Sequence, residues 1–168
     1  MRIGLRTIKT GLSVFICILI SILLQRDTYV VMALTAIFTL REDMVNTLKF
    51  GKHRVVGNTF GALFSIIAIF LFHLVGDGKS VQLLVMPLLI IGMISLLSHF
   101  GYQEGTVGAC ATLLTILFMV PETESYQYAF ARVVDSFIGM VVAIGVNQLL
   151  PNKKMMQALE KQLENEEV

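Results

Sequence analysis

Long apolar runs separated by short polar breaks dominate this chain. The runs cover residues 8–24, 28–41, 55–75, 81–98, 105–120 and 129–150. Gln25-Arg26-Asp27 closes the first, Gly76-Asp77-Gly78-Lys79-Ser80 forms a tight polar turn after the third, and Pro151-Asn152 stops the sixth. A helix that crosses a bilayer needs about 20 apolar residues, within a range of about 17–25. Runs one, three, four and six meet that length. Runs two and five are short and depend on helix-compatible flanks. No run alternates with period two, and lipid offers no partner to open backbone, so the pattern predicts an all-α bundle of six transmembrane helices. Arg2 and Arg6 ahead of the first run resemble the start of a signal peptide, but no A-x-A-like cleavage site follows, which predicts an uncleaved first span.

Composition excludes a soluble domain. Apolar residues make up 55% of the 168 and charged residues 15%, against about 45–50% and 25% for a soluble globular chain. A net charge of +1 gives no field that points to nucleic acid. Cys17 and Cys110 both lie in apolar runs, which argues against a disulfide framework or a thiolate metal site. His53, His73 and His99 sit near run ends without metal-ligand spacing, and no nucleophile elbow, phosphate-binding loop or dinucleotide fingerprint is present. The reading is therefore not an enzyme, with no cofactor and no metal.

The 13 basic residues set an orientation. With six spans, one side carries Arg2, Arg6, Lys9, Arg41, Lys49, Lys52, Arg54, Lys153, Lys154 and Lys161; the other carries Arg26, Lys79 and Arg132. The excess predicts both termini in the cytoplasm. Tyr29, Tyr126 and Tyr128 then fall at the outer boundary and Tyr102 at the inner one. Residues 1–151 form the membrane domain. Residues 152–168 form a short cytoplasmic tail in which Met156, Leu159 and Leu163 have the spacing of an amphipathic helix.

A repeat divides the membrane part. Arg54-Val55-Val56 with Gly61 recurs as Arg132-Val133-Val134 with Gly139, at a constant offset, and a short Thr-bearing run precedes each motif. Three spans per copy is an odd number, so the second copy is inverted in the membrane. Inverted repeats are typical of secondary transporters, where short segments at matching positions point to the binding region.

Polar groups inside the runs are the candidate chemistry. Asp135 lies six residues into the sixth run, too deep for its short side chain to reach water. It is either a structural partner of Arg132, one turn earlier, or a proton-coupling carboxylate on a polar path. Arg54 and Arg132 open their runs and either snorkel or line the two mouths of a path; Lys9 has the same two readings. As lining, the three favour an anion. Asn58, Thr59 and Asn147 are a secondary polar lining or interhelical glue. Gly57, Gly61 and Ser65 form a small-residue stripe, matched weakly by Gly139 and Ala143, that lets helices approach closely, inside the bundle first and across a dimer seam as the alternative. Pro87 interrupts the fourth run.

The opening Met1-Arg-Ile-Gly-Leu-Arg-Thr-Ile-Lys-Thr10, the passage Arg54-Val-Val-Gly-Asn-Thr-Phe-Gly61, and Ala131-Arg-Val-Val-Asp-Ser-Phe-Ile-Gly139 followed by Asn147 together resemble the bacterial aromatic acid exporter family, the Gram-positive branch of the fusaric acid resistance superfamily. The resemblance covers residues 1–151. It implies efflux of aromatic carboxylates, and through the similar plant malate channels, which are six-span dimers with a basic pore, it makes Lys9, Arg54 and Arg132 the anion contacts. Many relatives carry a sizeable cytoplasmic domain after the membrane part, where this chain has a short tail. The combined expectation is a multi-pass bacterial cell-membrane protein, a homodimer, that exports small organic anions. The alternative is a non-transporting scaffold or accessory subunit.

Overall fold

The computed structural model describes residues 5–25, 29–41, 43–76, 78–121 and 124–150. Within them lie six α-helices and one 3-10 turn: α1 Leu5–Leu23, α2 Tyr29–Thr39, α3 Met44–Val75, α4 Lys79–His99, the turn Gln103–Gly105, α5 Thr106–Met119 and α6 Ser125–Leu149. The expected tail helix, and the orienting charges Arg2, Arg26, Lys153, Lys154 and Lys161, lie outside the described residues. Four helices, α1, α3, α4 and α6, are long and apolar enough to cross a bilayer; α2 and α5 are shorter.

Local chemistry sets the helix ends. Asp43 caps α3: its carboxylate accepts the Asn46 N–H at 3.0 Å and the Asn46 side-chain amide at 2.9 Å. The cap explains why α3 begins at Met44, well ahead of the apolar run at Val55. This corrects one expectation. Arg54 does not open its helix but lies inside it, and α6 likewise starts at Ser125, ahead of Arg132. α3 ends at Gly76, where φ is +102° and the N–H bonds the Phe72 carbonyl. α4 ends in a Schellman motif: the Tyr102 N–H reaches the Leu97 carbonyl and the Gly101 N–H reaches Ser98, with Gly101 at φ +78°.

The chain divides into two compact units, one built from Met1–Gly51 with Ile138–Val168, the other from Lys52–Phe137. The divisions fall inside α3 and α6, so both long helices contribute to both units. The first unit is centred on Cys17, Met32, Ala36, Leu40, Val142, Ala143 and Val146, from α1, α2 and α6. The second holds two clusters. One joins Ala68 of α3 to Met86, Met93 and Leu97 of α4 and Ala109 and Leu113 of α5. The other joins Ala62, Ile69, Ile116 and Ala129.

The small-residue stripe works within the second unit. A Cβ added at Gly57 would meet the Gly105 backbone, and one at Gly61 would meet the Ala109 carbonyl and the Thr112 Cβ. These glycines therefore let the α3 and α5 backbones approach closely, as the sequence pattern predicts. Gly139 of α6 does the same against α2 in the first unit, where a Cβ would meet the Met32 carbonyl and the Thr35 Cβ. The two contacts match: each long helix presents a glycine to a carbonyl and to a threonine one turn later on a short helix.

Outward faces are apolar. On α1, Phe15, Ile22 and Leu23 are exposed; on α4, Leu83, Leu84, Leu88 and Ile91. Water would penalise contiguous surface of this kind, whereas lipid chains accept it. The protein is a multi-pass membrane protein.

Candidate functional site

Hydrogen bonds join several buried or half-buried polar side chains into two clusters, one in each unit. In the second unit they form a closed circuit. Arg132 Nε donates to Thr112 Oγ1 at 2.8 Å. Thr112 Oγ1 donates to Asn58 Oδ1 at 3.0 Å, and Asn58 Nδ2 donates to Ser136 Oγ. Ser136 Oγ returns to the Arg132 carbonyl at 2.8 Å. The four residues come from α3, α5 and α6, so the circuit ties three helices together. Tyr128 OH accepts a longer bond from Arg132 Nη1, at 3.3 Å.

Arg54 approaches the same place. Gly108 of α5 has no side chain where the Arg54 guanidinium and the Asn58 carbonyl oxygen lie: an added Cβ would sit 3.2 Å from Arg54 Nη1 and 2.8 Å from Asn58 Oδ1. Arg54 and Arg132 are near enough for their charges to interact. They converge on α5, at Gly108 and Thr112, one helical turn apart. The run boundaries misled the reading: both arginines begin apolar runs, but neither begins a helix. Asp135, on the next turn of α6 from Arg132, is fully buried.

The cluster in the first unit is built around Lys9. Its side chain is 1% exposed, so it does not snorkel. Lys9 Nζ donates to Asn147 Oδ1 at 2.7 Å, and Asn147 Nδ2 donates to Thr47 Oγ1 at 2.9 Å. Thr47 Oγ1 donates in turn to the Asp43 carbonyl at 2.8 Å and accepts the Arg41 N–H at 3.1 Å. Thr59, by contrast, bonds the Val55 carbonyl of its own helix at 2.8 Å.

The structure thus brings Arg54, Asn58 and Arg132 together in one unit and Lys9 with Asn147 in the other. Sequence reasoning missed Ser136, Thr112 and Thr47. A signal existed for Ser136: it stands at the repeat offset from Asn58, the residue it bonds. Thr112 and Thr47 look like ordinary threonines and carried none. Among the described residues no group of three or more His, Cys, Asp or Glu could hold a metal ion.

The model of a known family, described as aromatic acid exporter family member 1, matches residues 1–150. This chain belongs to the aromatic acid exporter family. Its curated relatives include two staphylococcal proteins. A UPF0421 protein of Staphylococcus epidermidis is 32% identical over 161 residues, 96% of this chain and 47% of that protein. UPF0421 protein SH1063 of Staphylococcus haemolyticus is 32% identical over 165 residues, 98% of this chain and 48% of its own length. The chain spans about half the length of the curated relatives it matches. No solved structure matches it. Membership of an exporter family is consistent with a protein that moves a solute across a membrane.

Proposed function

We propose that this member of the family exports small organic anions, aromatic acids among them, along a path lined by basic residues, and that it works as a homodimer of six-span subunits. The observation that carries the reading is the set of basic side chains within these helices, Lys9 buried and Arg54 and Arg132 half-buried. Lys9 and Arg132 are each held by neutral amide or hydroxyl partners, and Arg54 sits beside the Arg132 circuit. A charge at the bilayer centre costs about 2.5–3.5 kcal/mol on insertion scales. Retaining basic groups inside such helices suits a protein that transiently neutralises an anion against them.

An inverted repeat of α1–α3 and α4–α6 supports the transporter class. Three features favour it. Gly61 on Ala109 and Thr112 matches Gly139 on Met32 and Thr35. Gly51, whose added Cβ would meet Met140 and Thr39, has Ala129 as its counterpart, and Ala129 shares one cluster with Ala62 and Leu117, the counterparts of Met140 and Thr39. Asn58 and Ser136 are each other's counterparts and are hydrogen-bonded, as residues on a two-fold axis would be. In this reading both termini are cytoplasmic, and Asp135 either carries a coupling proton or anchors the arginines.

Flux of benzoate-type anions into proteoliposomes, with and without a proton gradient and against empty vesicles, tests the proposal. Flux above the empty vesicles, abolished by Arg132→Glu and freed of proton dependence by Asp135→Asn, is the expected result. Flux equal to that of empty vesicles sinks it and leaves the scaffold reading. An Asp135→Asn protein that no longer folds assigns that carboxylate a structural role.

A further inference from the structure

α3 is longer than a bilayer requires. Its 32 residues reach about 48 Å at roughly 1.5 Å per residue, against a hydrocarbon core of about 30 Å. The apolar run 55–75 fills that core by itself, which leaves residues 44–54 at the level of the lipid headgroups. These first turns are not polar all round. Val45 is 76% exposed and Leu48 is 48% exposed, and the exposed Lys49 shares their face at helical spacing. Aliphatic groups with a lysine beside them suit the boundary of the membrane, where the first meet acyl chains and the amine meets headgroups.

Arg41 adds a second cation to this end of the first unit, and it is held in place. Its backbone N–H bonds Thr47 Oγ1 at 3.1 Å, and its guanidinium carbon lies 3.9 Å from the centre of the Phe50 ring. Stacking uses the face of the guanidinium and leaves its N–H groups, which lie in the plane, for an acceptor. No carboxylate has claimed them: Nε has no hydrogen-bond partner, and neither Arg41 nor Lys49 has an ion pair, among the described residues. Of the two acids in the loop before α3, Asp43 is bonded to Asn46, and Glu42 lies outside the described residues. Phe50 follows Lys49, so the two cations flank one turn of α3.

We propose that Arg41 and the first turns of α3 bind an anionic phospholipid, its phosphate between the Arg41 guanidinium and the Lys49 amine and its upper acyl chain along Val45 and Leu48. A guanidinium takes two phosphate oxygens at once. A zwitterionic lipid offers the same phosphate but carries an ammonium that both cations repel, so net charge sets the preference. The site stands apart from the transport reading, since it faces the bilayer and not a solute.

The chain contains no tryptophan, so one introduced indole reports alone. Leu48→Trp, in full-length protein reconstituted into mixed bilayers of phosphatidylcholine and phosphatidylglycerol, places it in the site. Leu88→Trp, exposed on α4, is the reference. Each lipid in turn carries bromine high on its acyl chain, which quenches an indole it touches. A cation beside an anionic lipid is worth about fivefold in binding. Leu48→Trp should therefore show at least about a fivefold preference for phosphatidylglycerol, and Leu88→Trp none. Adding Arg41→Gln and Lys49→Gln together should abolish the preference, and Lys49→Gln alone, at an exposed side chain, should lower it. Lys79→Gln, beyond the other end of α3, should leave it unchanged. Equal quenching by the two lipids at Leu48→Trp overturns the proposal, as does a preference that survives loss of both cations. Absence of quenching by either lipid means that protein covers this face, either residues 152–168 or a second copy, and overturns it too. Displacement of the lipid by millimolar inorganic phosphate assigns the cations to a soluble anion and has the same consequence. Solute flux plays no part in this readout, so failure here leaves the export reading standing.

Discussion

Lys9 shows what a single residue's setting can decide. Its amine is buried and held by Asn147, which is itself held by Thr47. Replacing Asn147 by Leu leaves that cation with its main neutral acceptor gone. Hydrogen bonds to charged groups are worth about 1.5–3 kcal/mol, so Asn147→Leu is expected to lower stability by about that much in detergent unfolding. Adding Lys9→Met removes the stranded charge and recovers part of the loss, because the two residues form one unit. Strict additivity of the two changes would sink this account. Asp43 offers a pH-dependent counterpart outside the spans. The Asn46 side-chain amide, then the Asn46 N–H, holds its carboxyl below the ordinary carboxylate range. The sign follows from that depression: the cap contributes stability above the unfolded value of about 3.9, and the contribution is lost as pH falls through the lower folded value. The Asn46 amide resonance should therefore titrate with a midpoint below about 3.9, and a midpoint at or above it refutes the cap.

At the scale of helices, the sequence disclosed type better than boundary. The six apolar runs anticipate six helices because burial in lipid and helix formation demand the same long apolar stretches. The start of α3 was hidden, since Asp43 and Asn46 cap a helix whose first turns are polar and read as a loop. That one displaced boundary moved Arg54 from a helix mouth to a helix interior. The stripe of Gly57 and Gly61 was legible because small residues at four-residue spacing have few other uses in a membrane helix. Glycines that look alike in sequence nevertheless differ in what they do. Gly61→Ala drives a Cβ into the Ala109 carbonyl, which belongs to backbone and cannot rotate away. Overpacking of this kind costs about 1–3 kcal/mol. Gly92 of α4 has no neighbour within 4 Å of an added Cβ, and Gly92→Ala should be neutral or stabilising by up to about 1 kcal/mol. Thermal denaturation of the two variants checks the contrast, and an equal loss in both would show that close approach of α3 to α5 is not what Gly61 provides.

For the whole molecule, the short helices hold the question of topology. α2 has 11 residues and α5 has 14. At 1.5 Å per residue they reach roughly 16 and 21 Å, short of the roughly 30 Å hydrocarbon core. If each crosses with the help of its flanks, the chain has six spans, and Lys49 and Lys52 lie on the same side as the N-terminus with Lys79 opposite. If each dips in and returns, only α1, α3, α4 and α6 cross, and Lys49 and Lys79 exchange sides. The density of basic residues favours the six-span arrangement. Arg41, Lys49, Lys52 and Arg54 cluster between α2 and the apolar part of α3, whereas the α3–α4 turn carries Lys79 alone, and basic loops stay in the cytoplasm. Single cysteines at Lys49 and Lys79, in a background with Cys17 and Cys110 replaced by Ala, report the answer through a membrane-impermeant maleimide. Labelling of Lys79→Cys from outside intact cells, with Lys49→Cys reached only after permeabilisation, is the expected pattern. The opposite pattern would turn α2 and α5 into re-entrant hairpins. The inverted three-span repeat would then fail by parity, because two crossing helices per copy would give both halves the same orientation in the membrane.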